Sequence, residues 1–269
     1  CGPKEIIEQM LKIHQFAIMC APTTSQYAAV EALKNGDEDV KEMFENCDAF
    51  VTTSQSAYDL YTEFYPELKD KLFSIIEHGR DIQTPNSVIN LPEFKDDESI
   101  RIVFPGHINA NKGAALIKDI KKYDKNNLLE FHYMGNLNPK YKLDEIGIHH
   151  GYYKRSEFCK EIHEIKPHFI GLLSIWPETY CHTLTEGWSC GIPVISLDIG
   201  ALGERIHKNG GGFFIENDGK KAYDKIIEIS KNYEKYKEVI NEIPSIKFKT
   251  TKEMTEEYIR LYEKYVDLD

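Results

Sequence analysis

The spacing of apolar positions changes twice along the chain. Between residues 5 and 18, Ile6, Met10, Ile13 and Ala17 recur at helical spacing. The turn Ala21-Pro22-Thr23-Thr24-Ser25 then offers hydroxyl caps for a second helix through Leu33, which Asn35-Gly36-Asp37 stops. Near Cys47 the pattern shortens. Residues 48–54 read as a short buried strand, followed by a helix through Tyr65 that Pro66 bounds. Residues 72–76 read as another strand, which runs into Glu77-His78-Gly79-Arg80-Asp81 and a polar, proline-containing linker to about Ser99.

From Ile100 the alternation is regular. Short apolar runs at 102–104, 128–133, 148–152, 169–173 and 193–197 predict strands, with helices between several of them, such as 114–122 and 157–165. Strands that are apolar throughout and separated by helices imply a parallel sheet covered on both faces. The expected fold class is therefore α/β: a Rossmann-like parallel sheet with helices on both faces, preceded by a short helical segment. Such sheets bind ligands at the carboxyl ends of their strands. From Lys220 the tail reads as charged helices, the last carrying an apolar stripe of Tyr258, Leu261, Tyr262 and Tyr265.

Composition narrows the functional classes. The 269 residues include 33 Lys plus Arg against 44 Asp plus Glu, a formal charge of −11. That balance argues against a nucleic-acid binder that relies on neutralising phosphates. Hydrophobic residues at 41% and charged residues at 29% describe a globular chain. No apolar run is long enough for a bilayer span, and Cys1-Gly2-Pro3-Lys4-Glu5 lacks a basic-then-apolar signal pattern. The absence of an initiator Met reads as a chain that begins inside a longer gene. The cysteines at 1, 20, 47, 159, 181 and 190 form no Cys-x-x-Cys, so the expectation is reduced thiols in a cytoplasmic protein, with neither disulfides nor a metal site.

Two segments carry candidate chemistry. In Phe104-Pro105-Gly106-His107-Ile108-Asn109-Ala110-Asn111-Lys112-Gly113, between a strand and a helix, glycine and the helix N-terminus suit a phosphate and Lys112 adds a positive charge. Turn geometry alone also favours Gly and Asn at such a place. In Pro177-Glu178-Thr179-Tyr180-Cys181-His182-Thr183-Leu184-Thr185-Glu186, two carboxylates eight residues apart straddle the start of a helix at the sheet rim. Glu186 there suits the hydroxyls of a ribose. It equally completes a capping box from Thr183, which would make it structural. Cys181 and His182 are neighbours, and neighbouring helical residues diverge, which argues against a thiol–imidazole dyad. The run Tyr152-Tyr153-Lys154-Arg155 suits stacking on a base, and equally an ordinary surface.

In this order and separation, the motifs resemble the donor-binding half of a GT-B glycosyltransferase of family 4. The residues that carry the likeness are Gly106-His107 with Lys112-Gly113, Glu178 with Glu186, and Gly191-Ile192-Pro193-Val194-Ile195 followed by Asp198-Ile199-Gly200-Ala201-Leu202-Gly203-Glu204. The likeness covers roughly residues 47–269. It implies retaining transfer of a hexosyl group from a nucleotide sugar, with no cofactor and no divalent metal. Lys112 would stabilise the donor diphosphate, Glu178 would hold the transferred sugar, and Glu186 would bind the ribose. Gly106, His107, Gly113, Cys181, His182 and Thr183 would line the donor site, and Glu204 and Arg205 are weaker candidates for it. Two residues depart from the family pattern: His107 stands where the family has a phosphate-binding Arg, and Cys181 where it often has Gly.

The run Lys12-Ile13-His14-Gln15-Phe16-Ala17-Ile18-Met19-Cys20-Ala21-Pro22-Thr23-Thr24-Ser25-Gln26, continuing through Ala32-Leu33-Lys34-Asn35-Gly36, resembles instead a class I (aspartate-type) aminotransferase. The cofactor-binding lysine of that family has no counterpart here, so no pyridoxal phosphate is expected. The implied organisation is a foreign helical fragment at 1–46, the remnant of a GT-B N-terminal domain plus linker at 47–99, a nucleotide-sugar-binding domain at 100–250 and a C-terminal helix at 251–269. With an incomplete N-terminal domain, the alternative is a nucleotide-sugar-binding module without turnover, truncated or chimeric. The acceptor is unspecified. The stripe on the final helix would then be exposed and drive self-association.

Overall fold

The computed structural model describes residues 41–42, 44–82, 92–95 and 98–264. The helices expected before residue 40, most of the linker at 83–99 and Tyr265 lie outside the described residues. The chain divides into two compact units, Cys1–Phe50 and Val51–Asp269. In the first, Phe44 packs edge-on to Phe50 with ring centroids 5.5 Å apart.

Strand β1 (Ala49–Thr52) runs into the second unit, which continues with α1 (Gln55–Phe64) and β2 (Leu72–Ile75). Thr52 accepts the amide of Ile76 at 2.8 Å. The N-terminus of α1 leaves backbone amides to be satisfied. The Ser54 hydroxyl accepts from Ala57 at 3.2 Å. The Glu204 carboxylate accepts from Gln55 and Ser56 at 3.1 and 2.8 Å. An acidic group at a helix N-terminus is favoured by the helix dipole as well, so Glu204 acts here as a cap.

The main sheet comprises β3 (Ile100–Ile108), β4 (Leu129–Leu137), β5 (Ile148–Gly151), β6 (Phe169–Leu172), β7 (Val194–Ser196) and β8 (Gly212–Phe214). All pairings are parallel, in the order β5-β4-β3-β6-β7-β8. Its helices are α2 (Ala114–Tyr123), α3 (Phe158–Ile165), α4 (His182–Ser189), α5 (Gly200–Asn209), α6 (Gly219–Lys231) and α7 (Tyr233–Glu242). The chain lays strands outward from β3 to β5, then returns to place β6 on the other side of β3. Connections after β3 and β6 therefore leave in opposite directions, which opens a crevice between their carboxyl ends.

Alternation along each strand explains why apolar runs were needed. On β3, Ile102 and Phe104 join Phe131 and Tyr133 of β4, Ile117 and Ile120 of α2 and Ile226 of α6. Val103 between them faces the other way, into Met134, Ile170, Ile162 of α3, Trp188 of α4 and Ile206 of α5. Each face buries its own core, as the sequence pattern requires.

Three expectations are corrected. Strands β3 and β4 run past 104 and 133 to Ile108 and Leu137, because they stay paired in register through Gly106 and Gly135. Strand β8 was not expected. Its residues follow Gly210 and Gly211, both at positive φ (73° and 71°), so the local sequence reads as a turn while pairing to β7 makes the strand. The third concerns the cysteines: Cys159 of α3 and Cys190, just beyond α4, form a disulfide, with Cα atoms 5.2 Å apart. They are 31 residues apart in sequence and meet because both helices pack on the same sheet face. Among the described residues, Cys47 and Cys181 are free thiols.

The final helix α8 (Thr251–Glu263) begins with a capping box between Thr250 and Glu253. Within the expected stripe Tyr262 is 63% exposed, while Tyr258 and Leu261 are half-buried. Among the described residues no helix is long and apolar enough to cross a membrane.

Candidate donor site

The loop after β3 is held by its own backbone. Asn109 accepts the amides of Lys112 and Ala114 at 3.2 and 3.1 Å, and Ala110 accepts that of Gly113 at 3.1 Å. Gly113 starts α2 at φ +76°, and a Cβ there would stand 2.1 Å from the Leu173 carbonyl oxygen. Only glycine allows the loops after β3 and β6 to approach this closely. Gly106 and His107 lie in the strand itself. Gly106 pairs with Gly135, and exposed His107 places Nδ1 3.2 Å from Asn136 Nδ2.

The loop after β6 is tied to the same place. The Ser174 hydroxyl and the Ile175 amide both donate to the Asn111 carbonyl, at 3.1 and 2.9 Å. Lys112 and Glu178, from opposite sides of the crevice, form an ion pair. The two motifs are 66 residues apart in sequence and meet where β3 and β6 part. Glu178 also borders a cleft of about 340 Å³ with Tyr61, Phe64 and Trp176.

Cys181 precedes α4 at φ +67° without a side-chain cap. Buried Arg205 holds that turn by donating to the carbonyls of Tyr180 and Cys181 at 2.9 and 3.0 Å and to the Thr185 hydroxyl at 2.7 Å. Its guanidinium also lies 4.0 Å from the centroid of the Tyr180 ring. Arg205 therefore shapes the turn from within. Burial pushes the Cys181 thiol up to about 12, so it carries no thiolate at neutral pH and is unsuited to nucleophilic attack.

Helix α4 begins at His182 and Thr183, so Thr183 lies within the helix and the capping box with Glu186 does not form. Glu186 is only 6% exposed and its Oε1 lies 2.7 Å from Arg80 Nη1 and 2.8 Å from Arg155 Nε. A cavity of about 500 Å³ beside it is lined by both arginines, Ser156, Ser189 and Thr251. Of the Tyr152–Arg155 run, Tyr152 is exposed, Tyr153 packs on Phe158 at 4.9 Å, and Arg155 reaches Glu186.

His182 Nδ1 is buried without a hydrogen-bond partner, and its ring lies 4.9 Å from that of His78. Burial, with the nearby Arg80, lowers its pKa to about 4. His168, buried at the far end of the sheet, is also lowered to about 4, by burial and then by Arg101. Folded pKa values below the ordinary 6.5 mean that the unfolded chain takes up these protons first. The contribution to stability is complete above about pH 6.5 and is lost as pH falls towards 4. Urea midpoints should accordingly drop between pH 7 and pH 5, and His168→Gln or His182→Gln should each shrink that drop.

Arg80 and Arg155 are the site residues that sequence reasoning did not assign. Each lay in a segment already marked by its composition, but the ion pairs to Glu186 join residues 106 and 31 positions apart, and no local pattern encodes that. Among the described residues no group of three or more His, Cys, Asp or Glu side chains is placed to hold a metal ion.

A parallel sheet with its switch point at β3 and β6, and a lysine and a carboxylate converging there, defines an α/β domain with a charged crevice at the carboxyl ends of its strands. The model of the family "Glycosyl transferases group 1" matches residues 91–245, more than half of the chain, and the chain belongs to that family. The fold is similar to that of Anabaena Alr3699/HepE in complex with UDP and glucose, with a TM-score of 0.61 and 12% identity over 81% of this chain and 63% of that one. It is also similar to the pneumococcal O-GlcNAc transferase GtfA in complex with UDP and GlcNAc, with a TM-score of 0.55 and 14% identity over 82% of this chain and 46% of that one. The chain thus spans less than two thirds of either structure. A stretch of 42 residues is 58% identical to the putative aminotransferase YugH of Bacillus subtilis (strain 168), covering 16% of this chain and 11% of that protein.

Proposed function

We propose that this chain carries the donor half of a retaining, nucleotide-sugar-dependent hexosyltransferase. The observation that supports this most is the meeting of Lys112 and Glu178 at the switch point, beside a buried carboxylate, Glu186, that opens on a nucleoside-sized cavity. Lys112 would carry the charge that develops on the diphosphate as the sugar–phosphate bond breaks. Glu178 would orient the sugar through its hydroxyls, aided by the backbone at Cys181, His182 and Thr183. Glu186 would accept from the ribose. Retention would follow front-face attack within one ion-pair-like transition state, in which the acceptor hydroxyl forms the new bond and its proton passes to the departing phosphate. No protein nucleophile takes part in this scheme, and neither a metal nor pyridoxal phosphate is called upon.

Lys112 and Glu178 pair with each other in this structure, so donor binding would exchange that ion pair for contacts of each residue with the ligand. Thermal melting with UDP, GDP and ADP and their glucose, galactose, mannose and N-acetylglucosamine conjugates tests the reading. Ligand at 100 times its Kd stabilises the folded state by about 2.7 kcal/mol. A clear rise with one base is the expected result; no rise with any member of the panel, in protein shown to be folded, would overturn it.

A further inference from the structure

The His78-Gly79-Arg80-Asp81 segment takes no part in the function above, yet it is fixed from two sides. On one side, the Arg80 amide donates to the Lys249 carbonyl at 2.7 Å, and the Asp81 carboxylate accepts the Thr251 amide at 3.1 Å. Gly79 is pressed so closely there that a Cβ would stand 2.1 Å from the Thr250 carbonyl oxygen. On the other side, the Tyr180 hydroxyl donates to the His78 carbonyl at 3.0 Å. With the segment anchored through the His78 carbonyl, the Arg80 amide and the Asp81 carboxylate, the Arg80 side chain ends on Glu186 Oε1.

Arg155 approaches the same oxygen, but the two cations are not equivalent. The side chain of Arg80 is 18% exposed and that of Arg155 69%. For a carboxylate as buried as Glu186, the loss of hydration has to be offset by a partner that is itself held in place. Arg80 is that partner, because its backbone is tied at both flanks, whereas the guanidinium of Arg155 is mostly in water, where ion pairs count for little. Both cations close on Oε1, so Oε2 is the oxygen that a vicinal diol would meet.

We propose that Arg80 is a positioning residue of the donor site, holding the Glu186 carboxylate oriented so that Oε2 accepts from the ribose of the nucleotide. This rests on the assignment of Glu186 to the ribose. The test is calorimetric titration of the wild type, Arg80→Ala, Arg80→Lys and Arg155→Ala, well below their melting temperatures, with UDP, GDP and ADP and with the corresponding nucleosides. Arg80→Ala should weaken nucleoside and diphosphate alike by roughly tenfold or more, the loss of a charge-assisted contact. Arg80→Lys should recover part of that loss, and Arg155→Ala should lose less than Arg80→Ala.

A merely structural Arg80 would lower the melting point of the free protein and leave affinity within about twofold of wild type, which would overturn the proposal. So would a loss confined to the diphosphate, because Arg80 would then act on phosphate rather than through Glu186. Should the wild type itself bind none of these ligands, the donor reading fails and this inference fails with it; a wild type that binds while Arg80→Ala binds equally well removes only the inference.

Discussion

Replacing Glu186 by glutamine is expected to weaken nucleotide binding by about tenfold to a hundredfold, since hydrogen bonds to a charged group are each worth about 1.5–3 kcal/mol. The carboxylate is 6% exposed and sits between two guanidinium groups at 2.7 and 2.8 Å. An amide keeps the shape but removes the charge that both arginines compensate. The free protein should lose stability too, by about 1–3 kcal/mol. That is less than the ~3–5 kcal/mol typical of breaking a fully buried pair, because Arg155 remains largely in water. The helix start at His182 removes the competing explanation, for a residue with no capping partner has no cap to lose. Denaturant titration and calorimetry on the one variant separate the two effects. Unchanged affinity in a folded Glu186→Gln protein would end the ribose assignment.

Reduction of the bond between Cys159 and Cys190 is expected to destabilise the second unit by about 3–4 kcal/mol, from the chain entropy released when a loop of this length is opened. The bridge joins α3, just after Arg155, to the end of α4, which carries Glu186. Reduction should therefore make the helix pair that frames the cavity more mobile than the distant core under α6 and α7. Hydrogen exchange of α3 and α4, with and without a dithiol reductant, reads this directly, and Cys190→Ser should reproduce the reduced protein. Equal denaturant midpoints for the two redox forms would show that the bridge contributes nothing to stability.

The period of the hydrophobic pattern was sufficient to specify the layered sheet. Runs such as those around Ile102–Phe104 and Phe169–Leu172 have no polar face, and only a sheet covered on both sides buries them. Lys112, Glu178 and Glu186 stood out as candidates because turn residues, helix starts and charged groups beside them are local features. Sequence also marked the Glu77–Asp81 segment, without a role, and the Tyr152–Arg155 run, read as suited to stacking on a base or to an ordinary surface, but gave neither a link to Glu186.

Tertiary structure decided what depends on separation in space. The sequence admitted both a cap and a ligand contact for Glu186; the start of α4 one residue before Thr183 excludes the first. Arg205 and Glu204, read as candidates for the donor, are turned to the Tyr180–Cys181 turn and to the N-terminus of α1. Cysteines that read as reduced thiols meet because two helices share a sheet face. Strand β8 exists because β7 offers it partners. In each case the deciding partner lies far away in the chain. A side chain's hydrogen bonds, ion pairs and crosslinks are set by which groups the packed sheet brings within about 3 Å, whereas burial periodicity is a property of neighbours along the chain. The sequence by itself therefore determined the class of fold and the charged residues at its rim, and packing alone determined what those charges hold.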